Sequence, residues 1–304
     1  MTCPPTSWSF HAGRGLTGSS PLRTIQHFMS HTGFSFRQCS AIITGASSGL
    51  GTEFARQLAP HANVLLLAAR RLDALEAVKA ELLAQRPGLT VHCCACDLAT
   101  TDGRAALLTA VDSLGLAPNL LINNAGKGDY GNFAEGDVER ATGQIDLNVT
   151  ALVTLSHAFI PKLRASAAEP AGILNVSSLA GNVPMPDLAV YAATKSFVTS
   201  FSEALRIELL GRHIVVTAVC PGPTPTNFGK NARRPGGVDT NRDGQDLLRI
   251  PTQQVVAQGL AALGKGQASV FPGGGVSLVA PLFRIMPRAI MRWAMERRYR
   301  KENA

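Results

Sequence analysis

Tyr191 and Lys195 stand four residues apart in the run Tyr191-Ala192-Ala193-Thr194-Lys195. On a helix that spacing puts both side chains on one face, one turn apart. A phenol titrates near ~10, too high to accept a proton readily at neutral pH. A neighbouring ammonium stabilises the phenolate, so Lys195 is expected to lower the Tyr191 pKa toward the working range. The pair reads as a general acid–base with its electrostatic partner. Tyr-x-x-x-Lys also occurs by chance, so its weight depends on what accompanies it.

A second chemistry-bearing run is Thr44-Gly45-Ala46-Ser47-Ser48-Gly49-Leu50-Gly51. It follows a short apolar stretch, Ala41–Thr44, and opens a helical pattern in which Leu50, Phe54 and Leu58 recur every fourth residue. Glycines there let the backbone turn tightly and approach a pyrophosphate. The free N–H groups and positive dipole end of the following helix then face the phosphate charge. The spacing is Gly-x-x-x-Gly-x-Gly, not the Gly-x-Gly-x-x-Gly of many dinucleotide-binding loops. An NAD site usually closes its second strand with an acid that meets the ribose 2′-hydroxyl. Here that strand ends Leu67-Ala68-Ala69-Arg70-Arg71, with Ala69 at the acid's position. Arg70 offers charge-assisted bonds to a 2′-phosphate. NADP (as NADPH) is therefore the expected cofactor, ahead of NAD, while Arg71 reads as a first-turn residue of the next helix.

The glycine run is followed in order by Asn123-Asn124-Ala125-Gly126, Asn148, Ser177-Ser178, the Tyr191–Lys195 pair and Pro221-Gly222. Taken together these motifs resemble the short-chain dehydrogenase/reductase family over roughly residues 38 to 272, and their glycine spacing argues against the sugar-nucleotide epimerase relatives. The resemblance implies hydride transfer between a nicotinamide cofactor and a carbonyl or alcohol. It implies that Gly45, Ser47, Ser48, Gly49, Leu50 and Gly51 cradle the phosphates and that Asp97 accepts a bond from the adenine amino group. Asn124, Ala125 and Gly126 would let a small backbone pass beside the cofactor, and Pro221, Gly222 and Thr226 would meet the nicotinamide carboxamide. Ser178 would hold the substrate oxygen against Tyr191, with Ser177 pointing away. Lys195 would also bind the nicotinamide ribose. Asn148 would bend its helix and hold a water that relays protons to Lys195. One departure is Ser48, which stands where some NADP enzymes of the family carry a second basic residue.

These residues need a scaffold of alternating elements. Short apolar runs at Ala41–Thr44, Val64–Ala69, Thr90–Cys96, Leu120–Asn123, Gly172–Val176, Ile214–Val219 and Ser269–Phe271 have the character of buried parallel strands. Helical patterns lie between them: Leu72, Leu75 and Leu82 mark one, and Val138–Leu163 and Ala189–Leu210 are long and apolar on one side. The expected fold is α/β, a doubly wound parallel sheet of Rossmann type with about seven strands, in a single domain with a helical tail. The expected boundaries are an extension over 1–37, the domain over 38–275 and a basic amphipathic tail over 276–304. Gly229 to Gly244, rich in Gly, Asn, Arg and Asp, reads as a mobile loop.

The 304-residue chain is 45% hydrophobic and carries a formal charge of +8. That charge favours anionic partners, yet neither zinc-finger spacing nor an aromatic RNA-binding signature is present, so nucleic acid is not an expected partner. No apolar run reaches the ~18 residues that span a bilayer. His92, Cys93, Cys94 and Cys96 are bunched, but neighbours on a strand point to opposite faces and no second ligand cluster exists, so no metal is expected. Scattered cysteines fit a reducing cytoplasm. Residues 1–37 contain no Asp or Glu and are rich in Ser, Gly, Thr, His and Arg. They read as a transit peptide, a disordered tail or an upstream extension ahead of Met29. Val183, Met185 and Leu188 make the substrate loop apolar, which suggests a lipophilic ketone, aldehyde or 3-oxoacyl compound. The stretch beyond Phe271 mixes Leu282, Phe283, Ile285, Ile290 and Trp293 with Arg288, Arg292, Arg297, Arg298, Arg300 and Lys301. Such a stretch suits an anionic membrane, the domain surface or a partner subunit in a homodimer or homotetramer. Pro287 should interrupt any single helix there. The rival readings are a non-catalytic NADP-binding redox sensor and a membrane-surface scaffold. An intact proton donor argues against the sensor.

Overall fold

The computed structural model describes residues 33–234 and 249–302. The strands are β1 (Cys39–Thr44), β2 (Ala62–Ala69), β3 (Thr90–Ala95), β4 (Leu120–Asn123), β5 (Ala171–Val176), β6 (Ile214–Val219) and β7 (Ser269–Val270). Among the described residues they form one seven-stranded sheet in the order β3-β2-β1-β4-β5-β6-β7, and every pairing is parallel. The helices are α1 (Gly49–Leu58), α2 (Leu72–Gln85), α3 (Thr101–Ser113), α4 (Val138–Ile145), α5 (Ala151–Phe159), α6 (Ala189–Glu208), α7 (Phe228–Ala232), α8 (Thr252–Gly264), α9 (Gly274–Ile285) and α10 (Arg288–Glu302). This is the doubly wound α/β fold expected from the alternation of runs.

Alternate residues of each strand feed two cores. Ile43, Leu65 and Leu67 pack with Phe54 and Leu58 of α1, Leu75 and Leu82 of α2, and Val255, Val256 and Leu260 of α8. Ile42 and Leu66 pack on the other face with Leu107 of α3, Leu155 and Phe159 of α5 and Leu205 of α6. A strand sandwiched between helices has no wet face, which is why these runs are continuously apolar. Chain order reverses between β1 and β4, so the carboxyl ends of those strands border a crevice, the place where open α/β sheets bind ligands.

Some boundaries differ from expectation. The domain begins before residue 38: Phe34 is buried, packs edge-on against Phe36 at 5.0 Å, and its N–H donates to the Leu263 carbonyl at 3.2 Å. Two aromatic rings outweigh the polar composition around them. The remainder of the expected extension, residues 1–32, lies outside the described residues. The pattern over Val138–Leu163 is not one helix but α4, a π turn over Asp146–Thr150, α5 and a 3₁₀ turn over Ile160–Lys162. The expected loop from Gly229 starts inside α7, and its part over 235–248 lies outside the described residues. The C-terminal stretch is two helices broken at Met286–Pro287, as the proline requires.

Candidate active site

The glycine run leaves the end of β1 as expected. Gly45 has a φ of +66°, a left-handed value that side chains resist, and a Cβ on Gly51 would lie 2.2 Å from the Gly45 carbonyl oxygen. The Ser48 side chain makes no capping bond to α1. The first N–H groups of that helix are thus not capped by Ser48 and lie beside a cradle too narrow for side chains, a fit to a phosphate-bearing dinucleotide.

A residue the sequence reading passed over holds this loop to the next. The Thr44 hydroxyl accepts from the N–H groups of Asn124 and Ala125, each at 3.0 Å, and donates to the Ile122 carbonyl at 3.2 Å. Asn124 returns the contact, its Nδ2 donating to the Thr44 and Gly45 carbonyls at 2.9 and 3.2 Å. The signal was a threonine closing an apolar strand, because a buried hydroxyl must find partners. Arg70 is exposed immediately after β2, and Asp97 lies just beyond β3, the neighbouring strand. Asp97 Oδ1 accepts from the Ala99 N–H at 3.0 Å, whereas the cap of α3 is Thr100, which accepts from Gly103. Thr226, expected on the cofactor, sits 3.3 Å from where a Gly49 Cβ would be, so the segment after β6 does reach the glycine loop. Pro221 lies at that segment's start, where its carbonyl accepts from the Leu179 N–H at 2.9 Å, and the Gly222 carbonyl accepts from Thr224 Oγ1 at 3.1 Å.

Ser178, Tyr191 and Lys195 converge at the end of β5. The Ser178 hydroxyl is hydrogen-bonded to the Tyr191 phenol and also accepts from the Ala180 N–H at 3.2 Å. Ser177 points the other way, into α6, where its hydroxyl donates to the Lys195 carbonyl at 2.7 Å. Lys195 is buried; its Nζ donates to the Val176 carbonyl at 2.8 Å and lies 5.8 Å from the Tyr191 ring centroid. Asn148 and Gly126 close the same corner: a Cβ on Gly126 would stand 3.2 Å from Asn148 Oδ1 and 3.4 Å from Lys195 Nζ.

One expectation about this group needs correction. Lys195 does not lower the Tyr191 pKa here. Burial pushes the phenol up to about 12, and the hydrogen bond with Ser178 offsets only part of that. Burial also pulls Lys195 down to about 8. The reason is geometric, since the ammonium is spent on the Val176 carbonyl rather than on the phenol. Tyr191 thus rests as a protonated donor. Asn148 does interrupt its helix, at the π turn, and its side chain bonds to neighbouring protein groups. Oδ1 accepts from the Lys127 N–H at 2.9 Å, while Nδ2 donates to the Lys127 carbonyl at 2.9 Å and to Thr194 Oγ1 at 3.0 Å. A π turn of this kind re-aims a side chain at a functional corner.

Four further residues were not singled out in the sequence reading. Phe228 of α7 packs on the Tyr191 ring at 5.2 Å. Asp129 is buried and bridges two arginines, with Arg234 at 2.8 Å and Arg140 at 2.9 Å. Burial works against its charge, but the two guanidiniums hold its carboxyl below the ordinary value. The clamp ties Arg234, just beyond α7, to the loop after β4, and so seats Phe228 over Tyr191. A cavity of about 280 Å³ opens beside the clamp, lined by Asp129, Gln144, Val190 and Arg234 among others. None of Ser178, Tyr191 and Lys195 lines it, so it is not the place where a carbonyl would react. β3 sends Cys93 into one core and Cys94 and Cys96 into the other. Among the described residues no three His, Cys, Asp or Glu side chains converge as metal ligands would.

A glycine cradle, a stitched asparagine loop and a Ser–Tyr–Lys corner now stand along one edge of a doubly wound sheet. Residues 40–236 match the model of the short chain dehydrogenase family. The chain belongs to that family. It is an oxidoreductase acting on a carbonyl or alcohol substrate, and its cradle is that of a nicotinamide dinucleotide cofactor. The chain is 38% identical over 220 residues to the sulfoacetaldehyde reductase of Chromohalobacter salexigens, covering 72% of this chain and 83% of the relative. Among solved structures it is similar to a short-chain dehydrogenase from Sphingobium yanoikuyae in complex with NADPH. The TM-score is 0.67 and the identity 28%, over 83% of this chain and 97% of the other. It is also similar to the 3-ketoacyl-(acyl-carrier-protein) reductase from Brucella melitensis complexed with NADH. There the TM-score is 0.69 and the identity 26%, over 80% of this chain and all of the other (100%). Among the described residues no helix is long and apolar enough to cross a membrane.

Proposed function

We propose that this oxidoreductase uses NADP(H) in preference to NAD(H) and reduces a lipophilic ketone, aldehyde or 3-oxoacyl compound to the alcohol. The observation that carries the cofactor reading is Arg70, exposed at the end of β2 next to Ala69, where an NAD enzyme would present an acid. The similar structures hold NADPH in one case and NADH in the other, so the preference rests on this chain's own residues. The substrate reading rests on the loop after Ser178, where Val183 is buried and Met185 and Leu188 are half-buried.

When bound, the cofactor supplies the hydride that the carbonyl carbon accepts. Ser178 holds the carbonyl oxygen beside Tyr191, and Tyr191 gives its proton to that oxygen as the charge develops. Solvent returns a proton to the resulting phenolate, while Lys195 stays bonded to the Val176 carbonyl at the same corner. With its phenol pushed up to about 12, Tyr191 holds its proton at neutral pH, so the donor form is present. The chain's intact Tyr191 sets this reading above a redox sensor, which needs no proton donor. A panel of ketones, aldehydes and 3-oxoacyl thioesters with NADPH and NADH, followed by absorbance, tests it. Equal kcat/KM with both cofactors would remove the role given to Arg70.

A further inference from the structure

The two faces of α9 meet different surroundings. Val276 and Ala280 are buried against Leu179, the residue after Ser178, with Phe271 and Phe283 beside them. Leu278, Leu282 and Ile285 follow at spacings of four and three, so they form one stripe along the helix. That stripe is 76%, 59% and 80% exposed. On α10, Ile290 is 52% and Trp293 60% exposed, while Met291 is buried. Scattered exposed apolar side chains are ordinary, but a stripe along one helix face, with further exposed apolar side chains on the next helix, marks an interaction surface. Arg288, Arg292, Arg297, Arg298, Arg300 and Lys301 are all exposed on α10. The Arg297 guanidinium lies 5.7 Å from the Trp293 ring centroid, so charge and apolar surface are interleaved.

We propose that this face docks on an anionic lipid bilayer, with α9 and α10 lying in the interface rather than across it. An interfacial helix needs an apolar stripe to enter the acyl boundary and cations to meet the headgroups, and this surface has both. A second copy is the poorer occupant. A two-fold contact through the same patch would gather both sets of α10 cations into one interface, where their mutual repulsion opposes it. Because the inner face of α9 packs on Leu179, docking places the Ser178 end of the sheet close to lipid. Nothing here depends on which cofactor or carbonyl the enzyme uses.

Sedimentation of the full chain with vesicles tests the proposal. Phosphatidylcholine with about a third phosphatidylserine should carry the protein down at low salt, and phosphatidylcholine alone should carry down far less. Trp293 emission should shift to shorter wavelength on the anionic vesicles, and Trp293→Phe should remove the shift. Leu278→Glu, Leu282→Glu and Ile285→Glu together should weaken binding at least about tenfold. The rate with a small water-soluble carbonyl should stay within about twofold, since none of the three touches the catalytic group. If that triple variant does not fold, Leu282→Gln alone and the wild-type comparison between vesicles decide. Three results would overturn the proposal: no sedimentation with anionic vesicles, equal binding to both vesicle types, or a wild-type oligomer that the triple variant dissociates. The last would make the stripe a subunit interface.

Discussion

Replacing Lys195 by methionine should make the free protein more stable at neutral pH while abolishing turnover. The Lys195 ammonium is buried, it donates to the Val176 carbonyl, and burial lowers its pKa from 10.5 to about 8. At about 1.4 kcal/mol per tenfold in proton affinity, keeping that charge inside the fold costs about 3 kcal/mol at pH 7. The sign follows from proton counts. Below pH 8 both folded and unfolded chains are charged at this site and the full cost stands. Between about 8 and 10.5 the unfolded chain still holds the proton that the folded one has lost, so wild-type stability rises with pH. Methionine removes the charge at similar length, but leaves the Val176 carbonyl without its partner, a loss of about 1–2 kcal/mol. The net gain is about 1–2 kcal/mol at pH 7, or a melting temperature higher by roughly 3–6 °C. Near pH 10 the wild type has shed most of its penalty, so the order should reverse. Thermal unfolding of both proteins at pH 7 and pH 10, without cofactor, reads this directly. If Lys195→Met melts lower than wild type at pH 7, or if the difference does not change with pH, the burial argument is wrong.

Tyr191→Phe keeps the ring against Phe228 and loses only the proton, so kcat should fall by ~10²–10⁴ with cofactor affinity unchanged; activity above about a tenth of wild type would clear Tyr191 of the role. Arg70→Asp should weaken NADPH binding by roughly tenfold to a hundredfold in fluorescence titration and leave NADH nearly untouched, and a parallel loss for both cofactors would refute the 2′-phosphate contact. Asn148→Ala strips the Lys127 N–H, the Lys127 carbonyl and Thr194 of their partner. It should lower stability by about 2–4 kcal/mol, and an unchanged urea midpoint would show the π turn to be held by other means. A chain starting at Met29 should melt like the full chain, whereas Phe34→Ala should cost roughly 3 kcal/mol. Equal midpoints for Phe34→Ala and wild type would return Phe34 to the extension.

The motifs were legible because each is a local matter. Gly45 and Gly51 answer to backbone geometry within seven residues, Tyr191 and Lys195 to the pitch of one helix, and the strands to an unbroken apolar character that only a sandwiched sheet requires. Those facts sufficed for the doubly wound fold, whereas the family and the placing of Ser178 against Tyr191 came from the resemblance that the ordered motifs carry together. Ser177 turned inward because neighbours on a strand end alternate.

What pairwise spacing could not supply was the competition for each polar group. Lys195 sits one turn from Tyr191 in the sequence, but the Val176 carbonyl, nineteen positions away, takes its ammonium, and so the phenol rises instead of falling. Asn148 is held by Lys127 and Thr194, contacts that exist only once the loop after β4 and α6 close on the π turn. Phe34 looked like part of a polar leader until Leu263 of α8 came within reach of its N–H. The C-terminal stripe shows the same division. Its periodicity and charge are written in residues 278–301, but which apolar side chains turn toward Leu179 and which are left to solvent depends on where α9 meets the sheet. Periodicity names the faces of a helix, and only packing decides which face is covered.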